Sequence, residues 1–157
     1  MKKILKWVGG ILLVAFALLQ VTNPARTNPP FNPADDLLAT NVPPSVAALL
    51  RASCYDCHSS QTRWPWYAHV APVSWLVVKD TDEGRETLNF SEWPHDNPAR
   101  AAKRLDAISE AVQYGEMPPK KYTLIHRDAI LTEAQRKEIS DWADAESERL
   151  RASIKEK

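Results

Sequence analysis

The sequence predicts an all-α protein: one helical domain, interrupted by a long irregular aromatic-rich segment and carried behind an apolar N-terminal helix. Three observations predict it. Apolar residues recur at helical spacing in three stretches, most with a capping or proline signal at the start. The first 22 residues are basic and then apolar, with no acid among them. No βαβ context surrounds any of the candidate chemistry.

In chain order, Lys2, Lys3 and Lys6 precede an uncharged run from Trp7 to Val21. As a helix that run spans roughly 22 Å, or roughly 27 Å counted from Ile4. Residues 1–22 are therefore read as an uncleaved membrane anchor. The alternative is a signal peptide cut after Ala15-Phe16-Ala17, although Leu18, Leu19 and Val21 prolong the apolar run past that site. Lysines on the short side put that side in the cytoplasm and the remainder outside it. The expected location is a bacterial inner membrane with the domain in the periplasm, or the periplasm alone after cleavage. Residues 23–44 hold Pro24, Pro29, Pro30, Pro33, Pro43 and Pro44 and read as an extended, stiff spacer.

Residues 45–150 are the domain. Its first helix opens at Pro44 with Val46, Leu49, Leu50 and Ser53 at helical spacing. Its second follows the Asn97-Pro98 cap, with a stripe of Ala101, Leu105, Ile108 and Val112, and stops at Gly115. Its third starts at Thr132, whose partner Gln135 completes a capping box, and turns Ile139, Trp142, Ala143 and Leu150 inward. Residues 151–157 are a charged tail expected to fray. Ser59–Asp96 gives no regular signal, and Val73–Val78 reads equally as a helical turn or an extended piece. Four of the six tryptophans lie in this segment.

The densest chemistry is Cys54-Tyr55-Asp56-Cys57-His58, which has the Cys-x-x-Cys-His spacing of a c-type haem attachment site. Two thiols at that spacing can each add to one vinyl group of the porphyrin, and the adjacent histidine then lies under the iron. One covalently attached haem c is expected, with His58 as proximal ligand. The chain has only these two cysteines. A zinc site would need a second ligand pair, a dithiol redox site a strand before it, and a disulfide here would close a loop too small to matter.

Besides Met1 the only methionine is Met117, inside Gly115-Glu116-Met117-Pro118-Pro119. A thioether in a proline-stiffened loop suits the distal position, against the alternative of a gap-filling core side chain. His69, His95 and His126 are rivals, His126 foremost, and an open distal site is the third option. Trp64, Trp66, Tyr67 and Trp75 read either as a wall around the porphyrin or as ordinary core. Arg63 reads as a propionate partner or as a solvated surface arginine.

These residues resemble the family of haem-binding domain proteins, small exported bacterial c-type cytochromes. The likeness runs over about residues 45–145, through Cys54–Ser59, Thr62-Arg63-Trp64-Pro65-Trp66-Tyr67, Pro72-Val73-Ser74-Trp75, Leu88–Trp93, Met117-Pro118-Pro119 and Tyr122. It implies a cytochrome-c-like helical domain, with Cys54 and Cys57 attaching haem and His58 and Met117 ligating iron.

The expectation is thus an electron carrier that is not an enzyme, bound to the membrane through its N-terminal helix and serving redox partner proteins. Beyond the anchor, seventeen basic residues face twenty acidic ones, a net charge of −3, so no nucleic-acid partner is expected. Two alternatives stay open. One is a haem sensor or peroxidase-like enzyme with a displaceable distal ligand; the other is a non-haem Cys-x-x-Cys thiol redox protein.

Overall fold

A computed structural model describes residues 1–155 and contains helices and no strand among them. The apolar helix α1 spans Lys2–Leu19 and has no buried residue. With the turn that follows, it is long and apolar enough to cross a membrane, at mean hydropathy 2.1, a property shared by anchors and signal peptides.

The domain helices are α2 (Pro44–Ser53), α3 (Tyr55–His58), α4 (Val73–Thr87), α5 (Pro98–Gln113), α6 (Lys120–Thr123) and α7 (Glu133–Lys155). α5 and α7 form an antiparallel pair: Arg136 reaches Val112, Ser140 reaches Ser109, and Ser147 reaches Ala102. The expected α5 stripe of Ala101, Leu105, Ile108 and Val112 is buried throughout. It meets Ile139 and Ala143 of α7, with Val46 and Leu50 of α2 in the same core, while Trp142, Leu150 and Leu49 pack at its margin. Both signalled caps form. Asn97 Oδ1 accepts from Arg100 N, and Thr132 and Gln135 exchange side-chain and backbone bonds.

Three regions differ from the sequence reading. Residues 23–44 do not stand off as a spacer. Leu37 is buried in the core, and Trp93 N donates to Asp35 O. The Asp36 carboxylate is 4% exposed and accepts from Leu38 N, Tyr55 Oη, Gln61 Nε2 and Ser91 Oγ. Proline-rich composition says the chain is extended; it does not say what its polar side chains will bond.

Second, Val73–Thr87 is a full helix. Its buried positions include Ser74, Val78 and Thr81, a face too small and too polar to raise an apolar periodicity. Third, the tail continues α7 to Lys155, with Arg151 paired to Asp106 and Ser147. Glu156 and Lys157 lie outside the described residues.

Candidate haem site

α2 runs directly into the motif. Cys54 leaves the helix, and the N–H groups of Cys57 and His58 both return to its carbonyl, at 3.2 and 2.9 Å. One closed turn therefore holds both thiols, a spacing of three residues that puts them on one side. Neither forms a disulfide. Burial, with Cys57 adding to it, pushes the Cys54 thiol up to about 12. Burial, then Asp56 and Asp80, pushes Cys57 up to about 11. Both are neutral thiols at neutral pH, the reverse of an activated dithiol.

His58 Nδ1 lies 3.0 Å from Leu88 O. A carbonyl can only accept, so Nδ1 carries the proton and Nε2 keeps its lone pair. Burial lowers the pKa of the imidazole, and carbonyls of Leu88 and Gly84 only partly offset this. The ring is thus neutral, fixed in tautomer, and packed 5.8 Å from Phe90. That is the state a metal-ligating histidine requires.

α4 backs this turn closely. A Cβ at Gly84 would stand 2.6 Å from Cys57 O, so backbone meets backbone there and only glycine fits. Sequence reading passed over Gly84. The available signal was that one of only four glycines sits in an otherwise helix-compatible stretch.

On the other side Asp56 gathers a polar cluster. It pairs with Arg63 at 3.3 Å and accepts from Tyr122 Oη at 3.0 Å. Tyr122 stacks on His126 at 4.1 Å, and His126 Nε2 shares a hydrogen bond with Tyr67 Oη. Burial and Asp56 push the Tyr122 hydroxyl pKa upward, so it remains a donor. Arg63 is committed to Asp56 instead of standing free, with its side chain 71% exposed.

The aromatic residues separate. Trp64 lies against Arg85, 5.9 Å from its ring, and its buried indole N–H has no partner. Trp66 is 78% exposed, edge-on to Tyr67. Trp75 donates to Thr22 O, about 13 Å along α4 from Gly84 by helical rise. Arg85, unforeseen from sequence, bonds Ser59 O, Thr27 O, Asn28 Oδ1 and Thr62 Oγ1, tying residues 27–28 to the segment after the motif.

Met117 is half-buried, and its backbone is well held. α5 ends in a Schellman turn: Gly115, at φ 71°, donates to Val112 O while Glu116 donates to Ala111 O. Met117 N also reaches Ala111 O, and Arg136 Nη1 donates to both Val112 O and Met117 O. Among the rival histidines, His69 and His95 are exposed, whereas His126 joins the Asp56 cluster.

These residues fit a haem. Two neutral thiols share one turn, an imidazole beside them keeps its Nε2 lone pair, and a buried Trp64 N–H lacks an acceptor. Trp66, Leu124 and Ile125, all exposed, provide apolar surface on the segments joined by the Tyr67–His126 bond. Fold and site define a small all-helical haem protein. The chain belongs to the haem-binding domain family, which matches residues 14–145 and so takes in the segment first read as a spacer. No curated protein and no solved structure matches it.

Proposed function

We propose that the protein is a monohaem c-type cytochrome that carries electrons, held at the periplasmic face of a bacterial inner membrane by α1. Cys54 and Cys57 would attach the haem by thioethers, and His58 and Met117 would ligate its iron. One observation carries this reading: a neutral imidazole with Nδ1 committed to Leu88 O, immediately after two half-buried, neutral thiols on the same turn. Bound haem would supply one-electron chemistry at a potential set by axial ligands, hydrogen bonds and burial.

The chain's own residues orient and enclose. Leu88 O fixes the His58 ring, and Gly84 lets α4 back the motif. The Schellman turn and Arg136 hold the Met117 backbone in place. The acidic excess beyond α1 favours a more basic redox partner. Such a carrier needs no proton-transfer catalyst. Cleavage after Ala17 would leave the same domain soluble in the periplasm.

A second reading, a ligand sensor or peroxidase-like protein, draws on His126. That imidazole stands with Tyr67 and Tyr122 beside the motif, as a distal base would. The dithiol reading is disfavoured by the upward shift of both thiols.

The test is an absorption spectrum of protein made with a c-type maturation system, oxidised and reduced, together with a haem stain after denaturing electrophoresis. A stained band and a weak sulfur–iron charge-transfer band lost in Met117→Ala are expected. A high-spin spectrum indifferent to Met117→Ala would transfer the proposal to the sensor reading, and a colourless protein would end both.

A further inference from the structure

The end of α1 is bolted to the domain with no free residues between. The Gln20 side-chain amide donates to Ala71 O at 3.2 Å and accepts from Ala71 N at 3.0 Å. Asn23 donates to His69 O and accepts from the buried Ser74 hydroxyl. Trp75 Nε1 donates to Thr22 O, and Arg26 donates to Ala68 O. Residues 20–26 therefore grip residues 68–75, beginning one position after α1 ends at Leu19. A domain held this way cannot swing on a tether.

α4 is polarised in a matching direction. Its first six residues, Val73–Val78, carry no charge, while Lys79, Asp80, Asp82, Glu83, Arg85 and Glu86 all follow them. The uncharged end is the gripped one. There Val73 (41%), Trp75 (39%) and Leu76 (61%) are exposed, and the Trp75 bond to Thr22 O joins this patch to the residue that follows the exposed Val21. Uncharged side chains lose little by leaving water, and an indole with its N–H already bonded suits the headgroup boundary. The charged half would resist the same move.

We infer that the first turn of α4, Val73–Leu76, rests in the headgroup region of the bilayer crossed by α1, so that Gln20 and Asn23 mount the haem domain on the membrane at a fixed orientation. This rests on α1 being an uncleaved anchor. The occupant of the patch is lipid, continuous with the lipid around α1.

The full chain in phosphatidylethanolamine/phosphatidylglycerol vesicles, photolabelled from a diazirine-bearing phospholipid and mapped by mass spectrometry, tests this without depending on haem. Labelling is expected in α1 and at Val73–Leu76. Tyr114 and Ile130, more exposed than Val73 and Trp75, should be labelled several-fold less. Labelling of α1 alone would overturn the mount and leave the anchor intact. Labelling of all exposed apolar sites alike would overturn the fixed orientation. Absence of label in α1 would overturn the anchor and the mount together. Gln20→Ala/Asn23→Ala should reduce label at Val73–Leu76 to the Tyr114 level while α1 is unchanged. Leu76→Asp, at an exposed site that the fold does not need, should lower Trp75 labelling several-fold. Unchanged labelling in either variant would overturn the inference.

Discussion

The α5/α7 pair and the region around the Cys54–His58 turn are built on different principles. The pair is apolar stripe against apolar stripe, Leu105, Ile108 and Val112 against Ile139 and Ala143, with serine bonds spaced along it. The motif region depends on single polar hubs. Asp36 collects four donors and Arg85 reaches four acceptors. One half is held by many weak, interchangeable contacts and the other by a few directional ones. The second arrangement suits a site that must hold two thiols and an imidazole in register before a large apolar group arrives.

The contrast can be broken or sharpened by mutation. Ile139→Ala, fully buried between the paired helices, should cost about 2–5 kcal/mol by lost transfer and cavity terms. Denaturant unfolding would register the loss, while the ratio of haem to folded protein stays unchanged. Asp36→Ala should cost about 3 kcal/mol, because Tyr55 and Gln61 lose a charged acceptor. It should also lower haem incorporation, since Tyr55 lies between the two cysteines. Equal incorporation in the two variants would erase the distinction.

Gly84→Ala should cost about 1–3 kcal/mol through overpacking against Cys57 O, more than alanine's helix propensity returns. A thermal melt and the haem stain would both report it. Arg136→Ala removes the donor to Met117 O and should cost about 1 kcal/mol. Its sharper readout is the sulfur–iron charge-transfer band, which should weaken relative to wild type.

The smallest effect at neutral pH is alkaline. Thiols that ionise near 9.0 when unfolded are held up to about 12 and about 11 when folded. Above pH 9 the unfolded chain releases protons that the folded chain retains, so haem-free protein should lose stability progressively as pH rises from 9 toward 12. Thioethers cannot ionise. In haem-attached protein this thiol contribution to the slope should vanish, and an identical slope in both forms would argue against covalent attachment.

Legibility followed the same divide. Asn97-Pro98, Gly115 and the Thr132/Gln135 box announce α5 and α7 because capping chemistry is local, satisfied within three or four residues. α4 was ambiguous because it buries Ser74 and Thr81 while leaving Val73, Trp75 and Leu76 exposed, so its apolar residues do not mark its inward face. Of the expected aromatic wall, Tyr67 and Trp64 have partners near the motif. Trp75 instead serves the junction with α1. Arg63 pairs with Asp56, seven residues back and inside the motif, a contact that spacing alone does not reveal.

By itself the sequence determined the helical class, the apolar N-terminal segment, and the five residues whose spacing suits haem. All of these are written in near-neighbour chemistry: periodicity, caps, and thiols three positions apart. Tertiary structure alone decided that residues 23–44 belong to the domain, that Leu88 O selects the His58 tautomer, and that His126 lies in the Asp56 cluster while His69 and His95 do not. Each of those depends on a polar group meeting a partner tens of residues away, and composition carries no record of such distant pairings.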